Sequence, residues 1–201
     1  AATQLLTYSD MTIFENRGRR TLNEASTVEE FLGLRADLGA FALGSYFAEL
    51  LETVSAEEYP DPPVLQLGLN SLYALSRALC PPEQIKAVFE LRLMCLAGYE
   101  PDLSCCARCG APEPAEPWLS LRGGAVYCAQ CRGASSSAVT PLLPETLAAM
   151  RHVVNADPKK IFSFTLGDAG RRQLARVCEE YTAMQLERGF ASLDYWKKVK
   201  D

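Results

Sequence analysis

Two short stretches carry the residues best suited to chemistry: "CARCG" at 106–110 and "CAQCRG" at 128–133. Each holds a Cys-x2-Cys pair, and eighteen residues separate Cys109 from Cys128. That gap lies within the ~15–20 residues typical of four-cysteine zinc sites. A two-residue gap lets one turn aim both thiolates at a single ion. Gly110 and Gly133 follow the pairs, where a positive φ would turn backbone N–H groups towards the sulfurs. The intervening "WLSL", "RGG" and "AVYC" read as a hairpin turned at Gly123-Gly124, so the order is that of a zinc ribbon. Cys106, Cys109, Cys128 and Cys131 are the expected ligands, with Cys105 an alternative to Cys106 through Cys105-x3-Cys109. Four thiolates close a tetrahedral shell and leave no position for substrate, which makes such a site structural. A redox dithiol and unpaired core thiols are the competing explanations. Cys80, Cys95 and Cys178 sit in or beside apolar helical stripes and read as small hydrophobes.

No second constellation suggests catalysis. The only histidine is His152, on a helix between Arg151 and Val153, and reads as a surface or half-buried residue. No Ser/His/Asp order, P-loop or Rossmann glycine pattern is present. Glu29-Glu30, Glu57-Glu58 and Glu179-Glu180 read as solvated helix faces. The residues point to binding and not to an enzyme.

Charge is unevenly distributed. Residues 27–100 hold four basic and eleven acidic side chains, a local −7, within a total of −5. A phosphate-gripping domain shows a basic excess, so nucleic-acid contact must rest on local patches. Three are available: Arg17, Arg19 and Arg20 near Tyr8 and Phe14; Arg171, Arg172 and Arg176; and Lys197, Lys198 and Lys200. Rings among cations suit single strands, through stacking and charge.

The elements that must position these residues follow from periodicity and punctuation. "TQLLTY", "MTIFE" and "RTLNEA" are rich in β-formers and turn at Gly18, giving the last hairpin of a sheet. Two or three strands are marginal alone, so this hairpin must dock on helices or belong to a larger β domain. Thr27 and Glu30 match a capping box, predicting a helix that runs to Val54 with a break near Gly33. Asp61-Pro62 opens a second helix, and Pro82 to Gly98 frames a third. A fourth begins near Pro144-Glu145, and a last long one spans Asp168 to Arg188, closed by Gly189. No apolar run reaches the roughly 20 residues that cross a bilayer. "AATQLLTYSD" has no basic lead or hydrophobic signal core, and clustered Cys-x2-Cys pairs favour a reducing compartment. A cytoplasmic location is the expectation.

The order of parts resembles a family. "VFELRLMCLAGYEPDLSCCARCG" (88–110), "GGAVYCAQC" and "ERGFASLDYW" closely resemble the RecO recombination-mediator family of bacterial DNA repair. "IFENRGRRTLNEASTVEEFLGLRADL" is similar to that family's junction between barrel and helical domain. The resemblance implies a mainly α fold: a helical domain over 26–201, a zinc-ribbon-like module inserted at 104–133, and, over 1–25, the C-terminal strands of a partial OB-fold β-barrel. It also implies a non-enzymatic, nucleoid-associated protein with structural zinc. Such a protein binds single- and double-stranded DNA, anneals complementary strands, and with RecR helps load RecA onto strands coated with single-stranded-DNA-binding protein (SSB). The SSB C-terminal tail would need an apolar pocket ringed by cations. In the family, basic residues often precede "FEL" and a lysine often precedes the Ser of the C-terminal motif; here Ala87-Val88 and Ala191 stand there, leaving Arg92, Arg171 and Arg172 as substitutes. DNA contact would fall to Arg17, Arg19, Arg20, Lys197, Lys198 and Lys200. A zinc-ribbon interaction scaffold without DNA contact and a CxxC redox protein are the alternatives.

Overall fold

A computed structural model describes residues 2–57, 59–135 and 137–200; Glu58, of the Glu57-Glu58 pair, lies outside them. Residues 2–6 form turns in place of the strand expected at "TQLLTY", because Leu6 takes a left-handed φ of 55° and folds against Gly44. β1 (Tyr8–Asn16) and β2 (Arg19–Glu29) then pair antiparallel around Arg17-Gly18, both at positive φ. That is the turn chemistry of a tight hairpin. β2 runs through Thr27, so the anticipated capping box does not form: pairing of Thr27 with Ser9 overrides the local signal. The hairpin docks little of itself on the helices. Met11, Ile13 and Leu22 are all exposed, and cross-strand pairing sets them beside one another on one face.

The helices start with α1 (Leu32–Arg35) and α2 (Leu38–Val54), the latter capped by Asp37 Oδ1, which accepts from Ala40 N at 2.8 Å. Asp61 likewise caps α3 (Pro62–Ser76), accepting from Val64 N at 3.1 Å. α4 (Pro82–Leu96) begins on its proline and ends before Gly98, whose φ of 88° suits a residue without Cβ. After the cysteine-rich insertion come α5 (Pro144–Asn155) and α6 (Asp168–Leu186). α6 ends on Glu187 in the left-handed region (φ 52°), not on Gly189. A further helix, α7 (Ala191–Val199), folds back onto α2, burying Leu193 and Trp196. The short apolar set of this helix carries no sequence signal of its own.

α4 is the axis of the bundle. It contacts α2, α3, α5 and α6, and its residues from Gln84 to Leu91 are buried on every side. Phe89 stacks on Phe47 of α2 at 4.2 Å between ring centres. All-round burial encloses two charges. Lys86 Nζ lies 2.8 Å from Glu90 Oε1 and 2.9 Å from Glu179 Oε2 of α6, and Tyr46 OH donates to Glu90 at 2.8 Å. Lys197 of α7 pairs with the other oxygen of Glu179. Glu179 is therefore an internal counter-ion and not part of a solvated face. Burial pushes the Glu90 carboxyl up against the pull of Lys86, whereas for Glu179 the two lysines outweigh burial and hold it below its ordinary value.

Removing one partner of a buried pair leaves an uncompensated charge, at a cost of about 3–5 kcal/mol. Lys86→Met is expected to destabilise the protein by that amount in urea unfolding, and Lys86→Met with Glu90→Leu should recover most of it. In the single variant Glu90 can only relax by holding its proton. Its folded pKa is then raised further, so stability present below 4.5 is lost as pH rises.

Candidate metal centre

The insertion between α4 and α5 forms a small sheet in the order β4-β3-β5: β3 (Pro117–Ser120), β4 (Ala125–Cys128) and β5 (Val139–Pro141). β5 extends the expected hairpin by a third strand. One sheet face joins the bundle core through Leu119 and Val126, both fully buried. Gly124 turns the hairpin at a φ of 60°; a Cβ there would come within 2.9 Å of Tyr181 OH on α6. Tyr181 OH also donates to Tyr99 O at 2.9 Å, and Gln185 of α6 donates to Leu121 O at 2.7 Å.

At the far edge of this sheet the chain brings Cys106, Cys109, Cys128 and Cys131 together, their sulfurs all within 4.8 Å of one another. Cys109 Sγ and Cys128 Sγ stand 3.9 Å apart. Ion–sulfur arms of ~2.3 Å in a tetrahedron give edges of ~3.8 Å, whereas a disulfide needs ~2.05 Å. The Cys109–Cys128 separation matches such an edge, and no pair of the four exceeds it by more than about 1 Å. Cys105 is outside the group, its sulfur 3.7 Å from Ser104 Oγ. Gly110 has the expected positive φ of 73°, but Gly133 does not: Arg132–Ala134 form a 3₁₀ turn.

The four sulfurs are not equivalent. Cys106 is buried and the other three are accessible to different degrees. Burial pushes the Cys106 thiol up, but backbone N–H groups of Cys109, Cys128 and Arg108 outweigh it and bring it down to about 6. The neighbouring Cys128 sulfur pushes Cys131 up to about 12. Crowded thiols oppose each other's ionisation, and a divalent cation at their centre reverses this by favouring every thiolate. Such a cluster could hold a metal ion.

The other candidate residues are dispersed. Arg17 and Arg19 are exposed at the hairpin tip, and Arg20 contacts Glu15 at 3.1 Å and Glu57 at 3.4 Å. Lys197 is engaged by Glu179, and Lys200 sits over the Trp196 ring and 3.7 Å from Glu83, while Lys198 is exposed. Arg171 pairs with Asp168 at 2.6 Å beside the exposed Arg172. Arg92 reaches the Val153 and Val154 carbonyls at the end of α5 and lines an apolar cavity of about 310 Å³ with Pro62, Leu67, Leu96 and Ile161. His152 is half-buried, edge-on to Phe164. Cys178 is buried and Cys80 and Cys95 half-buried. No helix among the described residues is long and apolar enough to cross a membrane. Sequence reasoning missed Arg151, whose guanidinium meets the first cysteine loop from a helix 38 to 48 residues further along the chain; nothing local marks it.

The family model for "Recombination protein O C terminal" matches residues 35–194, from the end of α1 into α7. The DNA repair protein RecO of Acetivibrio thermocellus is 30% identical over 199 residues, covering 99% of this chain and 79% of the relative. That of Alkaliphilus metalliredigens is 28% identical over 200 residues, covering 99% and 81%. That of Heliobacterium modesticaldum is 31% identical over 186 residues, covering 90% and 66%.

The protein is expected to take up one cobalt(II) ion per chain with the intense visible absorption of a tetrahedral thiolate site. Cys106→Ser should abolish that spectrum at equimolar metal. Cys105→Ser should leave it unchanged.

Proposed function

This chain belongs to the RecO family of DNA repair proteins, and from that premise we propose that it is a non-enzymatic mediator of recombination, cytoplasmic and nucleoid-associated. It binds DNA, anneals complementary strands and, with RecR, helps load RecA onto SSB-coated single strands. The family match across helices and cysteine module together is the observation that carries this reading. Its cofactor is one structural Zn²⁺ held by Cys106, Cys109, Cys128 and Cys131, a closed set that offers stability and no reactive position.

Residues 1–25 belong, on this reading, to an OB-fold barrel. The bare apolar face of Met11, Ile13 and Leu22 is what an inward barrel face requires. The domain boundary then lies a few residues later than the sequence suggests, since β2 continues to Glu29. The helical domain expected over 26–201 then begins after Glu29, with 104–133 as its metal module.

DNA contact falls chiefly to Arg17 and Arg19, because Arg20, Lys197 and Lys200 already face carboxylates of this chain. Lys198 adds a further exposed cation. The Arg92 cavity combines an apolar wall with a guanidinium, the chemistry an acidic, apolar SSB tail needs. Arg171 and Arg172 lie on the first turn of α6, not among that cavity's lining residues. Annealing on this account needs no bond chemistry: neutralised strands are held near one another until they pair.

An interaction scaffold without DNA contact remains the second reading, favoured by the −7 charge of residues 27–100. Titration of a single-stranded oligonucleotide against salt separates the two. Binding should weaken steeply with salt. Arg17→Glu with Arg19→Glu should flatten the log–log slope by ~1.4, at ~0.7 for each phosphate that is no longer neutralised. Binding that ignores both salt and these substitutions supports the scaffold.

A further inference from the structure

The two cysteine knuckles are supported unequally. Cys128 ends β4, so strand pairing with β3 fixes the second knuckle's position; Arg132 then lies over the Trp118 ring of β3 at 4.3 Å. The first knuckle belongs to no strand. Its chain enters through Leu103-Ser104 and leaves through Pro112-Glu113, and one side chain joins the two. Arg151 Nε donates to Leu103 O at 2.7 Å, and Nη2 donates to Ser104 O at 3.1 Å and Pro112 O at 2.7 Å. Nη1 pairs with Glu113 Oε1 at 2.7 Å. Within the loop so closed, Cys106 N donates to Ala111 O at 2.8 Å and Gly110 N to Cys106 O at 2.9 Å. Cys128 N donates to Cys106 Sγ at 3.4 Å, joining the knuckles.

We propose that Arg151 is a positioning residue for the metal: by bolting both ends of the first knuckle to α5, it holds Cys106 and Cys109 ready before an ion arrives. The inference rests on the four cysteines being ligands. The physical reason is entropy. The loop of about ten residues is held to β4 at Ala107, whose N donates to Val126 O at 2.8 Å; its two ends must still be ordered when it ligates, and Arg151 orders them in advance. α5 is a rigid post for this purpose, because the flanking Met150 and Val153 are fully buried. Only a planar fork meets three carbonyls and a carboxylate together; lysine, a point donor, does not. The guanidinium touches no sulfur, so its effect is on affinity and not on the identity of the ligands.

Cobalt(II) affinity, measured on the full chain by competition with a chromophoric chelator, tests this. Arg151→Gln and Arg151→Lys should each weaken binding by about 10–100-fold, as is usual when the partners around metal ligands are removed. The shape of the tetrahedral thiolate spectrum should be retained at saturation. Arg122→Gln, the same charge change at an exposed turn of the module, should leave affinity unaltered. Amide exchange of metal-free protein should quicken over 104–113 in the Arg151 variants, with helical circular dichroism unchanged. Equal affinity in wild type and both Arg151 variants overturns the proposal. So does loss of helix in step with loss of metal, which would make Arg151 a general support. Wild-type protein that takes up no cobalt removes the metal centre itself, and this role with it.

Discussion

From Gln84 to Leu91 α4 has no solvent face, and much of the architecture answers to that. A helix buried all round must be apolar all round or must match each enclosed charge. Here Lys86 and Glu90 are one turn apart inside the bundle, and the mismatch is resolved by neighbours: Tyr46 from α2, Glu179 from α6 and, at one remove, Lys197 from α7. Three helices thus take part of their placement from one ammonium group. These bonds are directional: Tyr46 meets Glu90, and Glu179 meets Lys86, with these faces of α2 and α6 turned towards α4.

Local signals were legible and long-range ones were not. Asp61-Pro62 and Pro82 each begin a helix because capping and the missing proline N–H act within four residues. The grouping of the four cysteines was readable for the same reason, since Cys-x2-Cys is a geometric statement about one turn. Thr27 and Glu30 show the opposite case. Their spacing is that of a capping box, yet β1 lies alongside and takes Thr27 into a ladder. Glu179 and Glu180 look alike in sequence, but only Glu179 meets Lys86, a residue 93 positions earlier by number. α7 was invisible because Leu193 and Trp196 acquire their meaning only against α2.

The charge distribution has a related explanation. Residues 27–100 carry the acidic excess, and the basic C-terminal stretch supplies part of the answer within the same molecule: Arg188 meets Glu49, Lys197 meets Glu179 and Lys200 meets Glu83. Cations that a sequence count offers to an external phosphate are partly engaged by α2, α4 and α6. Exposed pairs of this kind contribute little individually, yet together they lower the positive potential a nucleic acid would meet at that end. The hairpin differs, for Arg17 and Arg19 project from a tip that is exposed along nearly its whole length.

The cysteine module and the bundle solve one difficulty by different means. Neither the three-stranded sheet nor the first knuckle can exclude enough water to be stable alone. The sheet gains its core by extending Leu119 and Val126 into the helices, and it is seated by Tyr181 and Gln185 of α6. The knuckle has almost nothing apolar to offer, so it is fixed through polar atoms: a guanidinium at its base, the Ala107 N–H bonded to Val126 O of β4, and at its tip two sulfurs set beside the two of the second knuckle. An ion at the tip would therefore act on a loop whose base is already tied to α5, and α5 packs on α4. Metal binding would then not be confined to a satellite. It would bear, through Arg151 and one rigid helix, on the same buried axis that holds the bundle together.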